Sequence, residues 1–417
     1  MNRDPNATRR RERLCGSTGT RPSSREESTE IAGGRVVTPE GVHDGGSVVV
    51  RGSEIHRVTP SHDRTEAGTT IDATGTVVLP GLIDLHGDDI EQHLFPRPEA
   101  RIETPTAVIN ADRANVVNGI TTKLHAIAFE NDPDGTRTVS LAEELVAELD
   151  DPPALLGDNR VHARCELTES VGEVRELIEG NVDIELVSLM NHVPGEGQFA
   201  DREAFEHRYV EGRDLTTEAA KQLIEHRTDS DGTTVRERAS KISSHADNAE
   251  IPVASHDDSR VEHVERMAET GVSISEFPVT LAAAERACEL GLDTVMGAPN
   301  LVRGGSLWDN VAVEDAIAAD AVDVLCSDYH PPSLLAAPFV STGEPLHVRV
   351  ARVTSNPADA IGLDDRGRLQ EGLRADVLVV DPDPVPTVER AFVNGDEILQ
   401  AGGPNGRSAR LDHDPMS

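Results

Sequence analysis

The run Asp84-Leu85-His86-Gly87-Asp88-Asp89 sets an imidazole and a carboxylate two residues apart. In an extended segment, positions i and i+2 share a face, so His86 and Asp88 are expected to point the same way. Four other apolar runs end in groups of the same kind. One ends at Glu166, with His162 and Arg164 on its face, and another at Asn191-His192. A third ends Ser255-His256-Asp257-Asp258, and the last Ser327-Asp328. Imidazole and carboxylate together suit borderline-hard divalent ions such as zinc or manganese. Singly, each group has an equally good bland reading, capping a helix or pairing with an arginine. Six of them at the ends of apolar runs favour a metal centre. His86, Asp88, Glu166, His192, His256 and Asp328 are too many for one tetrahedral ion. Two ions sharing a carboxylate, with Glu166 as the natural bridge, are the simplest expectation.

A second group lies in Gly297-Ala298-Pro299-Asn300-Leu301-Val302-Arg303-Gly304-Gly305-Ser306. Backbone N–H groups of a glycine-rich turn can cradle phosphate oxygens, and arginine can pair with them bidentately. Asn300, Arg303, Gly304 and Gly305 are therefore expected to bind an anion, with Arg164 as a further substrate contact. Lys123 has three readings: an anion contact, a carbamylated bridge between two ions, or a side chain snorkelling at a strand edge. Lys221 and Lys241 lie in polar, helical-looking stretches and make poor bridges. Glu276-Phe277-Pro278 offers either another acid at the same rim or a solvated charge. His330 either contacts substrate or caps the loop before Pro331-Pro332. Cys165 and Cys326, beside the proposed ligands, read as core fillers.

These residues need a frame that brings distant segments to one edge. Eight apolar runs qualify as strands: 77–85, 120–128, 161–167, 184–190, 252–255, 272–276, 293–296 and 322–326. Amphipathic stretches separate them, among them 141–149, 171–178 and 281–290. The pattern predicts an α/β fold, a (β/α)8 TIM-like barrel, with chemistry at the carboxyl ends of its strands. Short β-like runs at 31–76 return near the end, as in Ala375-Asp376-Val377-Leu378-Val379-Val380. The two flanks are expected to pair into a small β-sandwich-like domain. The expected organisation is a disordered extension over 1–30, the first part of the β domain over 31–76 and the barrel over 77–345. The last barrel helix and the rest of the β domain follow over 346–400, with a disordered tail over 401–417.

Acidic residues number 75 against 39 basic ones, a net charge of -36, which speaks against capture of nucleic acid or an anionic membrane. With aromatic residues at only 2 %, the core must be aliphatic, as suits buried parallel strands. No apolar stretch is long enough to span a membrane. Four scattered cysteines form neither a disulfide framework nor a zinc-finger spacing, so a cytoplasmic setting is the default. The acidic, lysine-poor composition reads either as adaptation to a salt-loaded cytoplasm or as a device for solubility.

Leu79-Pro80-Gly81-Leu82-Ile83-Asp84-Leu85-His86 resembles the opening strand of the amidohydrolase superfamily, and Arg374-Ala375-Asp376-Val377 resembles its returning β-domain signature. More narrowly, the chain resembles the diphosphatases of the carbon–phosphorus lyase pathway of phosphonate degradation over about residues 31–385. The resemblance rests on Arg164-Cys165-Glu166-Leu167, on Val187 through His192 with Pro194-Gly195, and on Ala254 through Asp258. It continues through Glu276-Phe277-Pro278, Met296 through Asn300, Arg303 through Ser306, Ser327-Asp328-Tyr329 and Ser333-Leu334-Leu335. It implies metal-dependent hydrolysis of a ribose 1-methylphosphonate 5-triphosphate to the 5-phosphate and diphosphate. The partners it implies are this small molecule and the lyase system, with the homo-oligomeric state left open. On that reading Asp328 is the catalytic group that orients a water and takes its proton. Two departures stand out: Leu307-Trp308 where the family has His after its Gly-Gly-Ser, and Tyr329-His330 for its Tyr-Tyr. The bridging acid falls on strand three by this count, where the wider superfamily uses strand four. The competing readings are another amidohydrolase acting on a cyclic amide or deaminating a base, and a metal-free scaffold subunit.

Overall fold

A computed structural model describes residues 28–401, apart from 62–67, 98–99, 133–134, 153, 194–215, 217–222, 226, 229–231 and 307–309. The expectations for residues 1–27, 402–417, Lys221, Pro194-Gly195 and Leu307-Trp308 fall outside the described residues.

Five strands come first: β1 (Ser28–Thr38), β2 (Gly41–Arg51), β3 (Glu54–Thr59), β4 (Thr69–Asp72) and β5 (Val77–Pro80). The barrel strands follow as β6 (Leu82–Gly87), β7 (Ile120–Phe129), β8 (Asp158–Glu166) and β9 (Ile184–Met190). They continue as β10 (Val253–His256), β11 (Ile274–Glu276), β12 (Asp293–Gly297) and β13 (Val324–Cys326). Three strands end the chain: β14 (Val377–Asp381), β15 (Thr387–Val393) and β16 (Asp396–Gln400).

Strands β6 to β13 pair in sequence order as one parallel sheet. A bridge between Gly87 and Asp328 brings its two edges together. Every residue of β7 is buried, including the polar Thr121, Thr122, Lys123 and His125. Inside, Ile83, Leu85, Leu124, Leu186, Ile274 and Val324 fill the lower barrel and meet Ile361 and Leu363. This apolar floor leaves the carboxyl-end rim to the polar groups.

The flanks form a second sheet in the order β16-β15-β14-β5-β1-β2-β3, with β4 also on β1. The flanking strands pair as expected into one small β domain. Residues 29–32 of β1 pair with β4 and residues 35–36 with β5. Ile31, Val48, Ile55, Val78, Val377 and Phe392 pack together as its core.

The expected strand 77–85 is two strands. Val77–Pro80 pairs antiparallel with β14, and the barrel starts at Leu82. The chain changes sheets at Gly81, where a Cβ would lie 2.1 Å from Thr121 Oγ1. Only glycine passes that close. The β domain thus extends to Pro80, and the barrel does not begin at 77.

Candidate metal centre and active site

The carboxyl ends of the barrel strands carry the polar cluster. Glu276, which ends β11, is fully buried. Its carboxylate accepts from His86 Nδ1 at 3.2 Å, His256 Nδ1 at 3.3 Å and Ser188 Oγ at 2.6 Å. Burial pushes the Glu276 carboxyl up, but the adjacent His162 and His86 outweigh it and hold it well below the usual range. Burial lowers His86 and takes His162 down to about 3. His162 Nδ1–H donates to Leu85 O at 2.9 Å, and its Nε2 meets Ser188 Oγ. The His86 and His256 rings stack at 5.5 Å, and Phe277 walls both edge-on at 4.9 and 5.3 Å.

A second cluster joins strands two to four. His192 Nδ1 lies 2.9 Å from Glu166 and 3.6 Å from Glu130. Burial alone would lower His192; hydrogen bonds to the two carboxylates raise it. Thr168 Oγ1 donates to Glu166 at 2.7 Å, and Arg227 to Glu130 at 2.9 Å. The rings of His192 and His256 stand 6.3 Å apart and connect the two clusters.

At the junction of β6 and β13, Asp328 N–H donates to His86 O at 2.9 Å, and Asp88 N–H to Asp328 O at 3.1 Å. Burial and the nearby Asp88 charge push the Asp328 carboxyl up to about 7. That value suits a base working near neutrality. Asp257, Phe277 and Asp328 each take φ between 52° and 58° where their strands end. Left-handed non-glycine backbone costs roughly 1–3 kcal/mol apiece and gathers at functional sites.

The expected residues therefore meet, with adjustments. His86, His256, His192 and Glu166 form one connected cluster. Asp88 lies just past the end of β6 at Gly87; its carboxylate is 3.2 Å from Arg137 and 3.9 Å from Arg164. Glu166 does end strand three of the barrel.

Lys123 binds no substrate anion in this arrangement. It is 2 % exposed, with Nζ 2.6 Å from Asp84 and 2.7 Å from Asp89. Burial opposes its charge, but the two carboxylates outweigh burial and raise its pKa. Carbamylation requires the neutral amine, which this pairing suppresses.

The glycine cradle needs a correction too. Residues Ala298–Arg303 form a short helix capped by Gly304 in the left-handed region. The Gly304 and Gly305 N–H groups donate to Asn300 O at 3.2 and 3.0 Å, closing that helix. Arg303 is exposed and donates to Gly305 O at 2.9 Å and Asn300 Oδ1 at 3.5 Å.

Arg164 is the opposite case: 5 % exposed, its Nη2 is 3.4 Å from His256 Nε2. Its Nε and Nη1 have no hydrogen-bond partner among the described residues. Glu130 and Arg137 escaped the sequence reading. Glu130 follows β7 directly, and Arg137 ties it at 3.0 Å to Asp88 and to Glu91 at 2.6 Å. Asp258, within the Ser-His-Asp-Asp run, is structural: it accepts from Ser255 and Ser275 and faces His263 at 3.2 Å. His330 takes the N-cap position of Pro331–Ala336, and its Nδ1 lies 2.8 Å from Ser333 Oγ without bonding a helix N–H. Cys165 and Cys326 are buried, and burial raises both thiols, as core fillers require.

The donor chemistry fits divalent ions. Three sets bring one donor atom from each member within 4.8 Å of the others: His86, His162 and Glu276; His192, His256 and Asp257; Glu130, Glu166 and His192. Neutral imidazoles and ionised carboxylates are the forms that ligate. The buried Asp257 Oδ2 accepts no hydrogen bond among the described residues.

No family model matches the chain. Among solved structures, a Xaa-Pro dipeptidase with bound methionine superposes with a TM-score of 0.61 at 14% identity, covering 89% of this chain and 99% of that one. An amidohydrolase does so with a TM-score of 0.57 at 13% identity, again over 89% and 99%. These likenesses establish the fold: a parallel barrel with a separate sheet built from its flanks. The alpha-D-ribose 1-methylphosphonate 5-triphosphate diphosphatase of Escherichia coli (strain K12) is 35% identical over 343 residues, 80% of this chain and 90% of that protein. The chain belongs to the family of that diphosphatase.

Proposed function

We propose that this chain hydrolyses the α–β phosphoanhydride of alpha-D-ribose 1-methylphosphonate 5-triphosphate, giving the 5-phosphate and diphosphate in phosphonate degradation. The observation that carries this reading is Arg164: a buried guanidinium beside the histidine cluster, 3.9 Å from Asp88, with two nitrogens that make no hydrogen bond among the described residues. Buried donors without hydrogen bonds are costly. An anionic phosphoryl oxygen would satisfy it, whereas a neutral amide would not.

Two divalent ions, zinc or manganese, fit the donors. Glu166, His192 and Glu130 would hold one, and His86 and His256 with Glu276 between them the other. Asp88 and Asp328 stand at the adjoining strand junction. When bound, such ions supply Lewis acidity and a water of lowered pKa. Asp328 accepts the proton of the attacking water. Arg164 donates to the phosphoryl oxygens and offsets charge that grows in the transition state. Arg303, at the far end of a six-residue helix about 9 Å long, would meet the distal phosphates. Phe277 shields the imidazoles from water. The diphosphatase would work beside enzymes that make and consume phosphorylated ribose phosphonates. Among the described residues no helix is long and apolar enough to cross a membrane. The acidic, lysine-poor composition suits a salt-rich cytoplasm.

A substrate panel tests the reading. The ribose triphosphate, a cyclic amide and a dipeptide are offered under identical conditions. Diphosphate release from the first and no turnover of the other two is expected; amide turnover without diphosphate would overturn it.

A further inference from the structure

Lys123 is the buried charge that the proposed chemistry leaves unused. It rises from the middle of β7 to the underside of the His86-Gly87-Asp88 run. Its ammonium donates to Asp84 Oδ2 at 2.6 Å and Ser327 Oγ at 3.0 Å, and forms an ion pair with Asp89 Oδ1 at 2.7 Å. The acceptors lie on both sides of the seam where the last barrel strand meets the first. Asp84 strengthens that seam by accepting from Ser327 N–H at 2.9 Å and from Ser327 Oγ. Just above, Asp328 and the His86-Asp88 backbone exchange two hydrogen bonds. A Cβ on Gly87 would lie 1.8 Å from Lys123 Nζ and 2.7 Å from Ser327 Oγ. The ammonium occupies the volume that any side chain at position 87 would need.

We propose that Lys123 is a positioning residue: clamped by Asp84, Asp89 and Ser327 beneath Gly87, it sets the spacing between the His86-Asp88 pair and Asp328. The inference rests on the site assigned above. It also explains the glycine at position 87, since the ammonium and residue 87 share one space. A shift of the seam moves donors on β6 relative to the base after β13. Ion affinity and the chemical step then suffer together, while substrate contacts through Arg164 and Arg303 persist.

Lys123→Met with Asp84→Asn tests this in the full chain. The pair removes one cation and one anion at nearly constant volume and leaves Asp89 its hydrogen bond from Asn115 Nδ2, so the variant is expected to melt lower but still fold. Melting, ion affinity by chelator competition, kcat and KM are measured together. The expected result is at least a tenfold loss in kcat and in ion affinity, with KM within about twofold. A purely structural role would lower the melting temperature and leave kcat per folded molecule intact. Wild-type kcat and ion affinity in the folded double variant would overturn the proposal. Gly87→Ala is the second variant, because its methyl must displace the ammonium. It is expected to show the same kcat loss at held KM, and wild-type kcat there would equally overturn the clamp. Ion affinity needs no substrate, so it judges the clamp even if the triphosphate proves not to be the substrate.

Discussion

Replacing Arg164 by Met should separate activity from stability. The side chain holds a buried positive charge whose Nε and Nη1 make no hydrogen bond among the described residues. A hydrogen bond to a charged group contributes roughly 1.5–3 kcal/mol. If both nitrogens engage phosphoryl oxygens in the transition state, the loss is about 3–6 kcal/mol, or roughly 10²–10⁴ in kcat/KM. The stability change runs the other way. Asp88 keeps Arg137 at 3.2 Å, so removing Arg164 orphans no carboxylate and removes a desolvated charge. The metal-free variant should melt no lower than the wild type. The assay is initial-rate diphosphate release across substrate concentrations, with melting followed in parallel. Arg303→Ala is the contrast: that exposed residue should raise KM by less than tenfold and leave kcat alone. A kcat/KM for Arg164→Met within threefold of wild type would refute the reasoning, because an idle buried guanidinium could not be the anion contact.

Asp328→Asn should abolish turnover while metal analysis still finds ions bound, since the other donors remain; wild-type turnover would remove Asp328 from the mechanism. His162 has a folded pKa of about 3 against an ordinary value near 6.5. Between those values only the unfolded chain takes the proton, so this group makes the folded state lose stability as pH falls through the window. In denaturant titrations of metal-free protein from pH 7 to 4, His162→Gln should lose stability less steeply than wild type. Equal slopes would contradict a buried neutral His162.

Much of this was legible because the barrel separates its signals. Strands buried on both faces read as apolar runs, and the residue that ends each run is the one that reaches the rim. Strand 184–190 was located to the residue. The reading failed where one residue type serves two geometries. Gly304-Gly305 reads as an anion nest, but the same glycines end a helix, and the amides go to Asn300. Lys123 lies within a strand, and nothing local shows that Asp84 and Asp89 wait across the sheet. Glu130 lacks a motif around it, although applying the rim rule to the second strand would have found it. Glu276 was balanced against a solvated charge, and only tertiary packing shows three side chains donating to it.

The most direct test of the central claim is phosphorus NMR of the purified chain with alpha-D-ribose 1-methylphosphonate 5-triphosphate, run on metal-stripped protein and again after adding back manganese or zinc. The stripped protein should leave the triphosphate intact, and the reconstituted protein should yield resonances of diphosphate and the 5-phosphate in equal amounts. Orthophosphate as the first product, or equal turnover with and without ions, would contradict a metal-dependent diphosphatase.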